Sequence, residues 1–374
     1  MKPAVLVVFE GYGPGGDYGV CLDLCALLKS HGHEFKLISR SDDIDDILQS
    51  RAAAFGLEVG LYKTLDCCLS ATSTDLTRYD LVHVHYPGNY LPIGLGRPYR
   101  KLFRDKPILL TLHGPVPIGQ TCRTWRQKAS AWAAAKCVDA VAVPSQHKLA
   151  ELKASSLFGK KLHCLPNPVR ELAKFDRAEA RRTLGLPPNA KICLWVGRIG
   201  PEKSPEILLR ALPRIHELGE EPILAFVGPD YGIEGEIKEL LERHAASVRL
   251  LGYMADPAQA YSACDLVVLT SRYESFSLVL FEAASAARPI VAPDLPVVQS
   301  VFSKFEAVSV YPWGDSEALA MKVVERLRGD SPEADSLLQT EIMAEYGYEA
   351  AFAKHLTLYE ELVAACPASI RKVR

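Results

Sequence analysis

No stretch of this sequence stays apolar over the eighteen or so residues that a membrane span needs. The opening MKPAVLVVFEGYGPGG carries one lysine and an apolar run too short for a secretory leader, and it stops at a glycine-rich turn. It reads as a first β-strand. Excess charge is also missing. Lysine and arginine number 43 against 45 aspartate and glutamate, a formal net charge of -2, which points neither to nucleic acid nor to an anionic membrane. The ten cysteines contain no Cys-x-x-Cys, only an adjacent pair at Cys67 and Cys68, and no His-rich tract accompanies them. That spacing argues against a zinc site and for reduced thiols packed as small hydrophobes, as expected of a cytoplasmic protein. Short-period repeats and low-complexity segments are absent as well, which removes repeat arrays and disordered tracts.

What remains is an ordinary globular composition, 48% hydrophobic and 24% charged, over 374 residues, a length that suggests two domains. Short β-branched runs alternate with helical stretches. Pro3 to Phe9, Phe35 to Ile38, Leu81 to His85, Ile108 to Leu112, Ala140 to Val143 and Leu162 to Leu165 read as strands, with helices such as Gly19 to His31 and Gln127 to Lys136 between them. The second half repeats the pattern with Ile192 to Val196, Pro222 to Val227, Val248 to Leu250, Leu266 to Leu269, Pro289 to Val291 and Val308 to Tyr311. Such alternation implies parallel sheets with right-handed crossovers. Runs such as VLVVF and LVVLT suit sheets covered on both faces. The expectation is α/β: two Rossmann-like doubly wound domains, residues 1–170 and 171–345, with the boundary near Pro168 to Lys174. Asp176 to Leu184 reads as a charged helix, and a last helix covers about 346–366. Sheets of this kind bind ligands at the carboxyl ends of their strands. Functional residues are therefore sought in loops that follow strands.

Four motifs meet that test. In YESFSLVLFEAASAARPIVA, after the strand DLVVLTS, Glu274 to Ser277 forms the strand-end loop, Ser277 is a good N-cap, and Leu278 to Ala287 is helical. Glu274 lies in the loop and Glu282 in the second helical turn. Free N–H groups at a helix start favour phosphate, and carboxylates accept sugar hydroxyls. Taken singly, a solvated loop acid and a paired surface acid explain the two equally well. In LWVGRIGPEKSPEILLRAL, Gly197 permits a close backbone turn, and Arg198 and Lys203 project from one loop, as a leaving diphosphate would require. Surface cations are the plain alternative. After the first strand, Gly11, Gly13, Gly15, Gly16 and Gly19 crowd one turn and suit backbone approach to a phosphate or sugar. The acid that would hold an NAD ribose is missing from LISRS, although Arg40 could meet an NADP phosphate, so a dehydrogenase stays open at this point. His113 ends the apolar strand LLTLHGP and faces the ligand or bonds a neighbouring loop. Asp43-Ile44-Asp45 matches a metal-binding DxD but opens a helix, where acids are expected anyway.

These residues together resemble the retaining glycosyltransferases of family 4, with the two-domain GT-B fold. Glu274 to Glu282 matches the family's E-x7-E motif, and Gly197-Arg198 with Glu202-Lys203 its G-R-x-x-x-E-K segment. Phe226-Val227-Gly228 matches a strand-end glycine, and Leu250 to Met254 a nucleobase loop. In the first half His113-Gly114, Gly15, Gly16, AVAVPSQHKLAEL and LHCLPNPV match. The resemblance covers nearly the whole chain. Three positions depart from it: Pro293-Asp294-Leu295-Pro296 where the family often has Gly-Gly, Asn167-Pro168 for a common Asn-Gly, and Ser204 for a glycine after the lysine.

The resemblance implies roles. Glu282 would accept the ribose hydroxyls and Glu274 those of the donor hexose. Arg198 and Lys203 would offset charge on the departing diphosphate. Ser275, Phe276, Ser277 and Leu278, with Gly197 and Gly228, would hold donor phosphate and sugar, and Tyr253 and Met254 would frame the base. Gly15, Gly16 and His113 would lie near the sugar and acceptor, across a cleft between the domains, with the last helix crossing back onto the first domain. Tyr12, Tyr86 and Tyr90 are candidates to stack on the acceptor or simply to pack. The implied reaction moves a hexosyl unit from a nucleoside-diphosphate sugar, UDP being the family's commonest choice, to an acceptor hydroxyl with retention. It needs no metal and no cofactor. The acceptor would be a small molecule, a glycan or a lipid-linked glycan; nucleic acid is no partner, and peripheral membrane contact is left open. A sugar-nucleotide epimerase on the same fold, needing a base and an acid beside C2 and no acceptor, and a non-catalytic nucleotide-sugar-binding protein are the alternatives.

Overall fold

The structure, a computed structural model, describes residues 2–10, 15–40, 45–62, 78–87, 99–101, 103–114, 125–154, 158–230, 233–329 and 331–366. The chain divides into unit 1, Met1–Pro168 with Tyr348–Arg374, and unit 2, Val169–Gly347. Unit 1 runs β1 (Val5–Phe9), α1 (Gly16–Ser30), β2 (Phe35–Arg40), α2 (Asp45–Ala54), β3 (Val59–Tyr62), β4 (Leu81–Tyr86), β5 (Ile108–Leu112), α3 (Trp125–Cys137), β6 (Ala140–Val143), α4 (Gln146–Ala154) and β7 (Leu162–Cys164). Unit 2 runs α5 (Arg177–Thr183), β8 (Ile192–Val196), α6 (Pro205–Glu217), β9 (Ile223–Val227), α7 (Gly235–Arg243), β10 (Val248–Gly252), α8 (Ala258–Ala263), β11 (Leu266–Val268), α9 (Leu278–Ser285), β12 (Ile290–Pro293), β13 (Val308–Tyr311), α10 (Ser316–Arg328) and α11 (Pro332–Tyr346). The last helix, α12 (Tyr348–Ala365), returns to unit 1.

Both sheets are parallel. Their strand orders are β3-β2-β1-β4-β5-β6-β7 and β10-β9-β8-β11-β12-β13. Each order reverses direction once, between β1 and β4 and between β8 and β11. At those points the connections leave toward opposite faces, and the loops after the two central strands open a crevice. The core follows the pleat. Val5, Val7 and Phe9 pack with α1 and α12 on one face, while Leu6 and Val8 pack with Val138, Leu149 and Leu152 on the other. In unit 2, Ile192 and Leu194 join one cluster, and Cys193 and Trp195 the opposite one. Each fully buried aliphatic side chain contributes roughly 1.5–3 kcal/mol, so strands apolar on both faces anchor each sheet.

Most expected strands appear within two residues of their expected bounds. β3 is the exception. Val59–Tyr62 is a short edge strand with Gly60 inside it, and its apolar signal is too weak to stand out. Asp45 opens α2, while Asp43 and Ile44 lie outside the described residues. Seven described cysteines are free thiols. Among the described residues no helix is long and apolar enough to cross a membrane.

Helix α12 docks onto unit 1 partly through polar contacts. Tyr359 Oη lies 2.7 Å from His83 Nδ1, and the Tyr348 hydroxyl donates to Asp23 at 2.5 Å. His83, His85, His113 and His355 are all buried there. Burial penalises the imidazolium form, pushing His113 and His355 down to about 4 from an ordinary 6.5 and lowering His83 and His85 as well. The folded state thus keeps these rings neutral where the unfolded chain would take up protons. The stability they allow is complete above about pH 6.5, erodes as pH falls below it, and is fully lost near pH 4. For His113 and His355 this linkage amounts to roughly 3 kcal/mol each. Hydrogen exchange followed peptide by peptide should show unit 1 losing protection between pH 7 and pH 5. A protection free energy of β4 and α12 that stays flat over that range would contradict this account.

Candidate active site

In unit 2 the site is built where the strand order reverses. β8 ends at Val196, and Gly197 turns with φ +154°. On the neighbouring strand Gly228 sits with φ +152°, so close that a Cβ there would lie 1.7 Å from the Gly197 carbonyl oxygen. The two strand ends are tied by the Gly197 N–H donating to Val227 O at 2.9 Å and the Gly228 N–H to Gly252 O at 2.9 Å. Only glycine fits at 228.

The loop 198–203 is pinned from beneath. Trp195 Nε1 donates to Thr270 Oγ1 at 2.9 Å, and that hydroxyl donates to the Lys203 carbonyl at 2.7 Å. Trp313 Nε1 donates to the Thr270 carbonyl at 3.1 Å. Thus the loop after β8 and the loop after β11 share one buried threonine. None of Trp195, Thr270 or Trp313 carried a sequence signal, because a tryptophan in an apolar strand reads as core. Ser204, which caps α6, has φ +49° and donates from Oγ to Pro201 O at 3.1 Å. The left-handed backbone explains why glycine would suit this position, and the hydroxyl contact offsets part of the serine's strain. In the departing segment after β12, Asp294 Oδ1 accepts the Trp313 N–H at 2.9 Å, so this loop too is fixed to β13.

The structure brings Lys203 and Glu274 together. Lys203 Nζ lies 2.7 Å from Glu274 Oε1, and the carboxylate side chain is only 10% exposed. Arg198 instead pairs with Glu202 at 3.0 Å on the surface. That exposed pair contributes at most about 1 kcal/mol and is easily exchanged for a ligand. Glu282, one turn into α9, accepts from the Tyr261 hydroxyl at 2.9 Å. Tyr261 is fully buried on α8, and burial together with the Glu282 carboxylate drives its phenol pKa up, so it stays a donor. Tyr261 is a functional candidate that the sequence did not reveal.

Ser277 does not cap α9 as expected. Its backbone is left-handed, φ +69° and ψ +74°, and its side chain makes no capping bond. In that conformation Oγ cannot reach the N–H groups of the first turn, as an N-cap in the extended region would. The hydroxyls of Ser277 and of Ser271 in the same loop are buried without a partner among the described residues. Phe276 is buried and stacks on Phe281, centroids 4.0 Å apart at 6°, which fixes the loop against α9. Leu278 opens the helix. Ser275 Oγ donates to Tyr273 Oη at 3.3 Å. On the loop after β10, Tyr253 is 53% exposed, and Met254 packs partly on the core.

In unit 1, Gly15 is the N-cap of α1, and Gly16 begins the helix. Both follow β1, at the reversal point of that sheet. His113 follows β5, buried, with Nε2 2.9 Å from His85 Nδ1. Glu10, at the end of β1, is buried and accepts from the Tyr99 hydroxyl. Tyr86 is core rather than an exposed stacking ring. Gly11, Gly13, Tyr12 and Tyr90 lie outside the described residues.

Two substitutions probe this geometry. Gly228→Ala should leave unit 2 unable to fold, seen as insoluble protein or loss of its cooperative transition. A soluble, normally stable variant would disprove the close approach. Ser277→Gly should stabilise the free protein in urea by about 1 kcal/mol, since it relieves a left-handed serine and removes a buried hydroxyl without a partner. A destabilisation would show that the hydroxyl has a partner after all.

Two family profiles match the chain in order. One described as Glycosyltransferase Family 4 matches residues 15–171, and one described as Glycosyl transferases group 1 matches residues 190–328. Among curated relatives, D-inositol 3-phosphate glycosyltransferase 2 of Catenulispora acidiphila is 36% identical over 141 residues, covering 34% of this chain and 33% of that protein. Phosphatidyl-myo-inositol mannosyltransferase of Mycobacterium leprae is 28% identical over 256 residues, covering 67% of this chain and 65% of that protein. The chain therefore aligns with about a third of the length of the first relative and just under two thirds of the second. Likeness of fold reaches further. The crystal structure of HepE of Anabaena with UDP and glucose superposes with a TM-score of 0.79 at 18% identity, covering 96% of this chain and all of that one. Sucrose-phosphate synthase of Thermosynechococcus elongatus gives 0.75 at 22%, covering 97% and 100%. The likeness to these solved structures gives the fold, GT-B, and with a family profile on each of its two halves the chain belongs to glycosyltransferase family 4.

Proposed function

We propose that this protein is a retaining glycosyltransferase that moves a hexosyl unit from a nucleoside-diphosphate sugar, with UDP as the nucleotide, to an acceptor hydroxyl, and that it does so without a metal ion. The observation that carries the reading is the Lys203–Glu274 pair, 2.7 Å long and mostly buried, beside a helix start whose N-cap side chain makes no bond. A lone, mostly buried ion pair is a weak source of net stability, because desolvation offsets its attraction. The same two groups are well suited to exchange partners, Lys203 toward a diphosphate and Glu274 toward sugar hydroxyls. That solved neighbours hold UDP, or UDP with glucose, supports the choice of nucleotide.

In this reading unit 2 binds the donor. Glu282, held by Tyr261, accepts the ribose hydroxyls. Tyr253 and Met254 frame the base, and Gly197 and Gly228 let the backbone approach. The amides of Phe276, Ser277 and Leu278, with Ser275, meet phosphate and sugar. As the C1–O bond to phosphate lengthens, the sugar gains oxocarbenium character and negative charge grows on the diphosphate. Arg198, Lys203 and the open N–H groups of α9 offset that charge, doing the work a metal would otherwise do. The acceptor hydroxyl attacks from the face the diphosphate leaves, the departing phosphate takes its proton, and the anomeric configuration is kept. Unit 1 supplies the acceptor side, with His113, Gly15 and Gly16. The acceptor is a small molecule, a glycan or a lipid-linked glycan; the names of the curated relatives, which act on inositol phosphates and phosphatidylinositol, favour a polyol-phosphate class.

A thermal-shift panel with UDP, GDP, ADP, TDP and CDP in the presence of EDTA tests this directly. One nucleotide, expected to be UDP, should raise the midpoint of unit 2. A ligand at a hundredfold excess over Kd adds about 2.7 kcal/mol. Glu282→Ala should lose most of the shift, and Tyr261→Phe should weaken binding several-fold while leaving unit 2 folded. Lys203→Met should lower turnover by about 10²–10³, the scale of one lost preorganised donor. If no nucleotide shifts the wild type, or if the glycosidic product has inverted configuration, the proposal fails.

A further inference from the structure

Unit 1 holds four buried histidines, and two of them are accounted for. His83 uses both nitrogens, Nδ1 at 2.7 Å from Tyr359 Oη and Nε2 at 2.7 Å from Thr111 Oγ1. His355 donates from Nδ1 to the Ala351 carbonyl at 2.9 Å, inside its own helix. The other two form a pair. His85 Nδ1 lies 2.9 Å from His113 Nε2, with the rings stacked at 5.2 Å and 13°. Each ring keeps one further nitrogen, His85 Nε2 and His113 Nδ1, buried with no partner among the described residues. The backbone fixes the pair from below, because the His113 N–H donates to Tyr86 O at 3.0 Å, one residue beyond His85.

A neutral imidazole has one N–H and one lone pair. Burial keeps both rings neutral near pH 7. Two neutral rings sharing one hydrogen bond have only two arrangements. Either His85 Nδ1–H donates and both rings carry their proton on Nδ1, or His113 Nε2–H donates and both carry it on Nε2. The Nε2–H form is the one a neutral histidine side chain prefers on its own. The second arrangement therefore satisfies both rings at once, and the first opposes both.

We infer that His85 is a positioning residue: its Nδ1 lone pair holds His113 as the Nε2–H tautomer and leaves the His113 Nδ1 lone pair to accept a hydrogen bond from a ligand hydroxyl. The identity of that ligand, a sugar or acceptor hydroxyl, rests on the glycosyl-transfer reading above. The chemistry discriminates between ligand groups. A hydroxyl has a proton to give to Nδ1, whereas a phosphate dianion has none, so this nitrogen selects the sugar or acceptor and not the diphosphate. His85 would have seemed a core residue, since it lies within the apolar strand LVHVHY.

Nitrogen-15 spectra of histidine-labelled protein report which ring nitrogen carries the proton. In the wild type the His113 proton should sit on Nε2. In His85→Phe the tautomers should mix, whereas His85→Asn, whose side-chain oxygen stands close to the former Nδ1, should restore the Nε2–H form. With slow hydrolysis of UDP-glucose as the turnover probe, His85→Phe should lose about tenfold in rate with UDP affinity unchanged, and His85→Asn should recover most of that loss. A wild-type proton on Nδ1, or spectra unchanged in His85→Phe, overturns the inference. Should His85→Phe fail to fold, the wild-type and His85→Asn spectra still decide the tautomer. If the wild type neither binds UDP nor turns over UDP-glucose, the glycosyl-transfer reading fails, while the spectra judge the His85–His113 arrangement independently.

Discussion

Lys203 and Glu274 are 71 positions apart in the chain, yet their side chains meet at 2.7 Å. They meet because β8 and β11 are neighbours at the place where the strand order of unit 2 reverses. That reversal is a constraint of parallel sheets: consecutive right-handed crossovers leave on opposite faces, and the two central loops are free to face each other. Much of the rest of unit 2 serves this junction. Thr270 joins the two loops from below, Trp195 and Trp313 fix Thr270, and Asp294 fixes Trp313. Gly197 and Gly228 bring the strand ends close enough for these contacts to form. A side-chain network that is saturated beneath the site and open above it makes the loop rigid where it is supported and available where a ligand would bind.

The same loop stores unfavourable features. Ser277 has a left-handed backbone, and the hydroxyls of Ser271 and Ser277 are buried without partners among the described residues. Each such feature costs about 1–3 kcal/mol in a free protein. They persist because the surroundings determine the loop: Phe276 is locked on Phe281, and Glu274 is held by Lys203. Strain and unmet hydrogen bonds placed beside a helix start are useful when an oxygen-rich ligand relieves them, since binding then gains what folding gave up. The strain and the ion pair thus fall in the same loop, although the two arise from different physics.

The architecture was legible in the sequence because it rests on redundant signals. Val5–Phe9 and Ile192–Val196 are apolar along their whole length, and any strand buried on both faces must read that way. β3 was not legible, because an edge strand four residues long with Gly60 inside carries little apolar pattern. At the site Arg198, Lys203 and Glu274 stood out as charges in strand-end loops, and Glu282 as an acid in the helix that follows, although only their joint pattern set them apart from ordinary surface charges. Their supports did not. Tyr261, Thr270, Trp195 and His85 are buried, and a buried aromatic, threonine or histidine looks like core until its hydrogen-bond partner is seen. The cap role given to Ser277 failed for a related reason: composition names the residue that can cap, but only φ decides whether it does.

The two units also differ in the kind of chemistry they place at their reversal points. Unit 2 offers fixed positive charge and open N–H groups, with carboxylates on either side of a helix start. Unit 1 places two neutral imidazoles and one buried carboxylate, Glu10, at its strand ends. Cations and free amides attract phosphate oxygens. Neutral rings neither attract nor repel them strongly, but they order hydroxyls, which both give and take a proton. In the proposed reading the cations and helix start of unit 2 meet the phosphates, its carboxylates meet the donor's hydroxyls, and the neutral rings of unit 1 order a further hydroxyl. That arrangement is consistent with the proposed transfer, because a sugar diphosphate carries both phosphate oxygens and hydroxyls.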